Sequence, residues 1–396
     1  MTAIWVGMDS GKWAHHCVVI DAAGRVLLSR RVANDEAALS GLIAAVAALA
    51  EQDEAVWATD LNAGGAALLL ALLADRGQRV LYLPGRIVHH AAATYRGDGK
   101  TDAKDARIIA DQARMRTDLQ PVRAADQISV DLRLLTSRRT DMIFDRVRHI
   151  NRLRATMLEY FPALEAAFDF SKKAPLILVA GYQTPDGIRR MGVARLATWL
   201  RSRGARGADA VAVKAVEAAA GQRTVLASQA VAARIVAQLA GQIRALDADI
   251  AALDEQIAQT LDRHRDAKIL LSMPGFGVIL AATFLANTAG NVTAFDSVDR
   301  LASVAGLAPS PRDSGRISGN HHRPHRFNRR LLRTCYLAAL SSLKASPASR
   351  AFYDRKRAQG KSHKQAIIAL ARRRLNTIWA MIRDRTLYQE PLPAAA

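Results

Sequence analysis

The sequence predicts an α/β domain followed by mainly helical regions. Short apolar runs alternate with helical patterns up to about residue 120, and three of these runs precede the first helix. This order favours a mixed sheet flanked by helices. From about residue 128 the apolar residues recur at helical spacing instead. We therefore expect three segments, residues 1–125, 126–268 and 269–390.

The first segment contains five strand-like runs and two helical patterns. Asn34 and Asp35 are N-cap signals for the first helix. Asp9 and Asp60 each follow an apolar run directly, and strand ends bind ligands in sheets flanked by helices. The predicted strands are Ile4–Met8, His16–Ile20, Val26–Val32, Ala55–Thr59 and Val80–Leu83, and the predicted helices are Ala37–Ala50 and Leu68–Ala74.

Asp102 and Asp105 open a further helical pattern. Their spacing places both carboxylates on one face of a helix near its start. Two carboxylates this close repel each other, and a divalent cation would offset the repulsion. With Asp9 and Asp60 they could hold Mg²⁺, or Mn²⁺ in its place, and two such ions can stabilise both oxygens of a phosphodiester exchange. Each aspartate alone also has an ordinary interpretation, as a turn residue or an N-cap.

The second segment is predicted to be helical around an irregular stretch, about residues 162–230, to which the sequence assigns no role. Near its end, apolar residues four and three apart form a coiled-coil seam. The seam could close an antiparallel hairpin within the chain, or a contact between two chains, or both. Its residues are Leu239, Ile243, Leu246, Ile250, Leu253 and Ile257.

The third segment begins with the Gly-rich turn Met273–Gly277. The turn could face a phosphate through its backbone N–H groups, or it could simply connect two helices. A loop follows at residues 306–330, and helices are predicted at about 328–346 and 362–385.

An arginine-rich loop lies between Pro311 and Arg333, with seven arginines and three histidines against one acid, Asp313. The histidines could suggest zinc, but an arginine lies among them and no cysteine is near, so phosphate contact is favoured. Ser314 beside Gly315 could approach a phosphate closely or be an ordinary turn serine. The arginines expected to bind nucleic acid are Arg312, Arg316, Arg323, Arg326, Arg329, Arg330 and Arg333.

The charge balance narrows the choice of partner. Lys and Arg total 56 against 36 acids, which gives a net charge of +20 and favours nucleic acid or an anionic membrane. No apolar run approaches the roughly 18 residues of a spanning helix, and the strand pattern at the start leaves no room for a signal peptide. Cys17 and Cys335 are the only cysteines, which fits a reducing cytoplasm. Nucleic acid in the cytoplasm, without a membrane partner, is therefore the expectation.

The motifs, taken in order, resemble the DEDD transposases of bacterial insertion sequences, the group that includes the Piv-type DNA invertases. The ordered set runs from residue 7 to about 380 and is far more specific than any one member. The matching pieces are Gly7–Lys12, Thr101–Ala106, Met273–Gly277, Ala305–Pro309 leading to Ser314–Gly315, Arg329–Arg333 and Gly360–Lys361.

The resemblance implies a RuvC-like (RNase H-like) nuclease domain, then a coiled-coil region, then a C-terminal transposase domain. It implies that Asp9, Asp60, Asp102 and Asp105 are a metal-binding tetrad. It also implies that Ser314 is a nucleophile that links covalently to a DNA phosphate. By the same resemblance, an element-encoded bridge RNA pairs with donor and target DNA. The active sites of a homo-oligomer, a dimer or a tetramer, would combine the tetrad of one subunit with the serine of another.

Two features depart from the family pattern. The family usually has Glu at the second tetrad position, where this chain has Asp60, one methylene shorter. The stretch at about 162–230 is also long for the family.

The leading hypothesis is a metal-dependent DNA recombinase that acts through a phosphoserine. The first alternative is a RuvC-like nuclease that uses the same acids with water as nucleophile. The second is a nucleic-acid-binding protein without catalysis, whose acids are simply solvated.

Overall fold

The computed structural model describes residues 3–51, 53–61, 64–96, 99–122, 127–316, 318–322 and 324–390. The chain divides into two compact units, residues 1–124 and 125–396. The first unit is an α/β domain and the second is helical apart from one short ribbon.

The first unit is built on a six-stranded mixed sheet with the order β3-β2-β1-β4-β5-β6. β1 pairs antiparallel with β2 and parallel with β4, and β4 pairs parallel with β5. The predicted mixed sheet is therefore confirmed. Its strands are β1 (Ala3–Ser10), β2 (Ala14–Ile20), β3 (Val26–Ala33), β4 (Glu54–Thr59), β5 (Arg79–Tyr82) and β6 (Gln120–Pro121).

Helices cover the two faces of this sheet. Ile4, Val6 and Met8 of β1 share one core with the first two helices, while Val56 and Leu81 share another with the next two. Alternation along a strand therefore assigns even-numbered residues of β1 to one layer and odd-numbered residues to the other. The helices are α1 (Glu36–Ala50), α2 (Ala67–Asp75), α3 (Gly85–Ala92) and α4 (Asp102–Met115).

The second unit is organised by two long helices, α5 (Gln127–Leu158) and α10 (Gln229–Asp262). They run antiparallel, because Arg139 pairs with Asp254 and Arg146 pairs with Asp247. Five of the six predicted seam residues are buried and Leu246 is partly buried. The hairpin within the chain is thus present, and the contact between two chains stays a prediction.

Four helices close the far end of this hairpin. They occupy the stretch predicted to be irregular, and they share a core with Ile150 and Leu153 of α5 and Ile243 of α10. The prediction of an irregular stretch was wrong because the glycines and prolines there begin, end or kink short helices. These helices are α6 (Pro162–Ala167), α7 (Lys173–Gly181), α8 (Pro185–Ser202, kinked at Gly192) and α9 (Ala208–Ala220).

The remaining helices pack at the other end of the hairpin around a separate core. The predicted helices at about 328–346 and 362–385 correspond to α14 and α16. α15 was not predicted, because Ser349 is its only buried residue and an apolar stripe is missing. The helices are α11 (Ala267–Ser272), α12 (Val278–Asn287), α13 (Val298–Val304), α14 (Arg329–Ala345), α15 (Pro347–Ala358) and α16 (His363–Asp384).

The Gly-rich turn at 273–277 joins α11 to α12. Gly275 has a φ of +84°, and a Cβ there would lie 2.4 Å from the carbonyl oxygen of Ala338 on α14. Arg374, itself buried, donates a hydrogen bond to the carbonyl of Pro274. Close packing of this turn against α14 therefore accounts for its glycine. Of the described helices, none is both long enough and apolar enough to span a membrane.

Candidate active site

The carboxyl ends of β1 and β4 bring Asp9 and Asp60 to the same edge of the sheet. Met8 is the register partner of Thr59 in the parallel pair, so Asp9, near the end of β1, and Asp60, just after β4, lie side by side. The two strand ends are joined by a polar contact, since the hydroxyl of Thr59 lies 3.1 Å from that of Ser10.

Gly7 determines where α4 lies. A Cβ at Gly7 would sit 2.1 Å from the carbonyl oxygen of Ala106 and 2.5 Å from the backbone nitrogen of Ala110. The backbone of α4 therefore rests directly on β1, which only glycine permits. Asp9 is two residues further along and faces the same layer. The first turn of α4, which carries Asp102 and Asp105, is thereby placed towards Asp9.

Thr101 begins this helix. Its side chain accepts a hydrogen bond from the backbone N–H of Lys104 at 3.2 Å, and Asp102 is the first helical residue. The ordinary interpretation of Asp102 as the N-cap is therefore wrong. Thr101 satisfies the helix end, which leaves the Asp102 carboxylate available for another role.

The four acids, hereafter the acid edge (Asp9, Asp60, Asp102 and Asp105), interact electrostatically. Burial first, and then the charges of the other three acids, raise the pKa of Asp9 to about 6, against an opposing effect of Lys100. Burial also raises the pKa of Asp60, a backbone hydrogen bond from Ser10 opposes that shift, and Asp105 adds to it. The structure thus gathers all four acids that the sequence indicated.

The residues of the acid edge fit a hard divalent cation. The Oδ1 atom of Asp60 is buried and has no hydrogen-bond partner within the described part of the chain, which is a costly state for a carboxylate oxygen. Within the same described residues, no three His, Cys, Asp or Glu side chains already stand at metal-binding spacing. The acid edge is therefore a group of mutually repelling oxygen donors whose charge Lys100 offsets only in part; Mg²⁺ or Mn²⁺ would supply the remaining positive charge.

Two residues near this edge were missed by sequence reasoning. His16 is the register partner of Asp9 across the β1–β2 pair, and its Nε2 lies 3.0 Å from the hydroxyl of Ser29. Burial lowers the pKa of His16, Asp102 raises it, and Arg31 lowers it. Lys100 is the second, through its effect on the pKa of Asp9. Working out the register of the hairpin between the first two predicted strands would have found His16.

Ser314 lies in the second unit, in an arginine-rich segment at residues 311–333 that runs into the start of α14 and is hereafter called the arginine loop. A short ribbon, β7 (Ser310–Pro311) with β8 (His321–His322), forms its base. Asp313 accepts a hydrogen bond from the backbone N–H of Asn320 at 2.9 Å. Ser314 is exposed, and Gly315 beside it has a φ of +55°, so the serine hydroxyl is open to solvent at a tight turn.

The predicted nucleic-acid-binding arginines are exposed wherever they are described. Arg330 also donates a hydrogen bond to the hydroxyl of Ser137 on α5 at 3.2 Å, which ties the start of α14 to the hairpin. Arg323 lies outside the described residues. The exposed set is Arg312, Arg316, Arg326, Arg329, Arg330 and Arg333.

Comparison with known proteins agrees with this arrangement. A transposase family profile of the DEDD type matches residues 6–162, and the profile described as "Transposase IS116/IS110/IS902 family" matches residues 267–354. The chain is 59% identical over 394 residues to the 42 kDa protein of insertion element IS900 of Mycobacterium paratuberculosis, covering 99% of each. It is 48% identical over 391 residues to the 44.8 kDa protein of insertion element IS116 of Streptomyces clavuligerus, covering 98% of this chain and 97% of that one.

A more distant likeness covers only part of the chain. The pilin gene-inverting protein of Moraxella bovis is 35% identical over 150 residues, which is 36% of this chain and 46% of that protein. The mixed sheet, the acid edge and these relatives together define an insertion-sequence transposase. The chain belongs to the IS116/IS110/IS902 family of transposases, and the resemblance seen in its motifs is confirmed.

Proposed function

We propose that this transposase cuts and rejoins DNA through a covalent phosphoserine at Ser314, with divalent cations held by the acid edge. The observation that carries this proposal is the convergence of Asp60, Asp102 and Asp105 on Asp9, whose pKa is raised by burial and by these three charges despite the opposing effect of Lys100. A basic chain that concentrates acids at one point suits metal-assisted chemistry on a polyanion.

Asp9, Asp60, Asp102 and Asp105 would hold Mg²⁺, with Mn²⁺ as a substitute. When bound, the metal supplies positive charge that stabilises the attacking and leaving oxygens of a phosphodiester. The unpartnered Oδ1 of Asp60 is one donor for it. Asp60 is one methylene shorter than the Glu usual at this position, so the end of β4 must lie closer to the metal for the carboxylate to reach it.

The chemical step is a transesterification. The Oγ of Ser314 attacks the phosphorus, and a new O–P bond forms as the bond to the DNA 3′-oxygen breaks. A carboxylate takes the serine proton, and the 3′-oxygen leaves as a hydroxyl after receiving a proton. A new 3′-hydroxyl then attacks the phosphoserine in the reverse sense, so strands are exchanged without net hydrolysis. Exposed arginines of the arginine loop neutralise the phosphate as charge develops.

We also propose that an RNA encoded by the insertion element selects the donor and target DNA. Phosphate contacts of the exposed arginines would fix position without reading bases. In this proposal, base pairing to the bridge RNA that the family resemblance implies supplies the choice of sequence. We propose a homo-oligomer, a dimer or a tetramer, in which Ser314 of one subunit serves the acid edge of another.

Trapping the covalent adduct tests the phosphoserine. Purified protein is incubated with its element-end DNA, the element transcript and Mg²⁺, and then denatured and resolved from free DNA. Wild type should give a protein–DNA adduct and Ser314→Ala none, although it still binds nucleic acid. Ser318→Ala is the matched control in the same loop and should form the adduct. Cleavage without any adduct would favour the nuclease that uses water, and an adduct persisting in Ser314→Ala would move the nucleophile elsewhere.

Mixing two inactive variants tests the shared site. Asp102→Asn lacks one metal ligand and Ser314→Ala lacks the nucleophile, so neither should cut alone. In a mixed oligomer some sites contain both intact parts, and cleavage should be partly restored. If a confirmed hetero-oligomer stayed inactive, the serine and the acids of one active site would have to come from the same chain.

A further inference from the structure

A large aromatic side chain stands in solvent on the turn that follows β1, at the same end of the strands as the acid edge. The turn between β1 and β2, residues 11–13, begins two residues after Asp9, and its last residue is Trp13. The indole is 78% exposed, more than any other large apolar side chain in the described part of the chain. It contributes nothing to the core of its own unit, so its apolar area is open to a ligand.

The backbone that carries this ring is held firmly. The side-chain amide of Asn34 donates hydrogen bonds to the carbonyls of Lys12 at 3.2 Å and Gly65 at 3.1 Å. The backbone N–H of Asn34 donates to the carbonyl of Trp13 at 3.0 Å. A Cβ at Gly65 would lie 2.7 Å from the carbonyl oxygen of Gly11. Trp13 is therefore presented from a fixed turn, which lowers the entropy cost of binding against it.

The surroundings of the ring suit a nucleotide. The ammonium of Lys12 lies 4.6 Å from the centroid of the Trp13 ring, and a second apolar side chain, Leu61, is 38% exposed directly after Asp60. A nucleobase offers a π face to an indole, and its phosphate offers a negative charge to a nearby lysine. A tryptophan with a lysine against its ring, at the strand ends that carry the acids, thus matches a base and its backbone.

We propose that Trp13 stacks on an unpaired nucleobase of the strand that lies along the acid edge, while Lys12 contacts the neighbouring phosphate. This inference deepens the proposed function and rests on it. Unstacking one base beside the reacting phosphodiester would hold the strand in register where the phosphate must meet the acids. The base belongs either to the DNA being cut or to the guide RNA, since both present the same π face.

Fluorescence and affinity measurements on the full chain test the stacking. The probes are a short oligothymidylate and a short oligouridylate, each about 12 nucleotides, a length within the site sizes of single-strand binders. Stacking should quench tryptophan emission in wild type. Trp13→Leu should lose that quenching and bind about tenfold more weakly, within the range for loss of one stacked base. Trp13→Phe, which keeps an aromatic face, should bind within about threefold of wild type.

Leu27→Ala is the matched control. Leu27 is 44% exposed at the start of β3, which lies at the opposite end of the strands from Asp9. Its loss should therefore leave affinity and quenching unchanged. A larger effect of Trp13→Leu on the thymidylate would assign the base to DNA, and a larger effect on the uridylate would assign it to RNA.

Different results would contradict the stacking of Trp13 and the phosphoserine at Ser314. If Trp13→Leu binds both oligonucleotides like wild type, or if Trp13→Phe falls as far as Trp13→Leu, the stacking proposal is overturned even when Ser314 forms its adduct. If no adduct forms but aromatic-dependent binding is observed, the stacking proposal stands and the phosphoserine does not.

Discussion

The acid edge and the arginine loop use charge in opposite ways. At the acid edge, four like charges are brought together by strand register and by the close contact of Gly7 with α4, and three of them are half-buried. In the arginine loop, the described arginines are exposed and lie either near a two-stranded ribbon of two residues per strand or at the start of α14. One region concentrates charge in a fixed geometry, and the other spreads it over a solvated surface.

This difference indicates what each region can select. Half-buried carboxylates that repel each other bind a small, highly charged ion and depend on every member. Exposed arginines bind a polyanion additively, and salt screens each of them. Substitutions that remove a charge from the acid edge should therefore greatly reduce cleavage. Substitutions in the arginine loop should reduce binding in small, salt-dependent steps.

The largest expected effect is that of Asp105→Asn. The amide keeps the shape of the side chain but removes a metal-binding charge, so cleavage should fall at least about 100- to 1,000-fold, the scale for losing one electrostatic group of a transition state. Folding should be preserved because carboxylate repulsion is relieved. Asp75→Asn, an exposed acid at the end of α2 and at the opposite edge of the sheet, is the control. Wild-type cleavage by Asp105→Asn would refute the metal-site hypothesis.

Asp60 allows a graded test of the same edge. Asp60→Ala removes the ligand and should reduce cleavage about as strongly as Asp105→Asn, on the order of 100-fold or more. Asp60→Glu keeps the charge and restores the residue usual in the family, so a tenth or more of the activity should remain, on the order of one kcal/mol. Metal titrations of cleavage rate measure both. Full activity in the alanine variant would mean that another residue fills this position.

Gly7→Ala tests whether close packing sets up the acid edge. The new Cβ would lie 2.1 Å from the Ala106 carbonyl oxygen, so α4 must shift, at a cost of about 3 kcal/mol. Chemical denaturation measures this loss. Gly41→Ala is the control, because nothing lies within 4 Å of a Cβ there and alanine in helix α1 should stabilise the protein by about 0.5–1 kcal/mol. Equal stability of the two variants would rule out the contact.

Sequence reasoning succeeded where one local pattern determines the structure. Strand ends at Asp9 and Asp60 follow from apolar runs, and the shared face of Asp102 and Asp105 follows from helical spacing. It could not place α4 on the sheet, because the reason is an absent side chain at Gly7 whose partner lies about a hundred residues away. It misread residues 162–230 for a related reason, since those short helices are stabilised by a shared core with α5 and α10 rather than by strong patterns of their own.

Substitutions in the arginine loop should have smaller effects, and these should be on nucleic-acid binding. Arg329→Ala with Arg330→Ala removes two exposed cations, and the salt slope of binding should decrease by about 1 for each phosphate that is no longer neutralised. Affinity should fall similarly for different sequences, because such interactions carry no base information. Fluorescence anisotropy across a salt series gives both quantities. Arg25→Ala, an exposed arginine of the first unit paired with Asp21, is the control. A sequence-dependent decrease would mean that these arginines read bases.

The smallest expected effect is on stability and comes from Asp9→Asn. The pKa of Asp9 is raised from 3.8 to about 6 in the folded protein, so the ionised side chain opposes folding above pH 6. Wild type regains that stability as the pH falls through 6 towards 3.8, and the asparagine variant has no such titration. Without divalent cations at about pH 7.5, the variant should be more stable by about 1–2 kcal/mol, less than the full shift because water reaches part of the carboxylate. The difference should vanish near pH 4, and added Mg²⁺ should raise the melting temperature of wild type more than that of the variant. A variant that is less stable than wild type at pH 7.5 would show that Asp9 makes a favourable contact in the metal-free fold, and the acid edge would then be an ordinary network of paired charges.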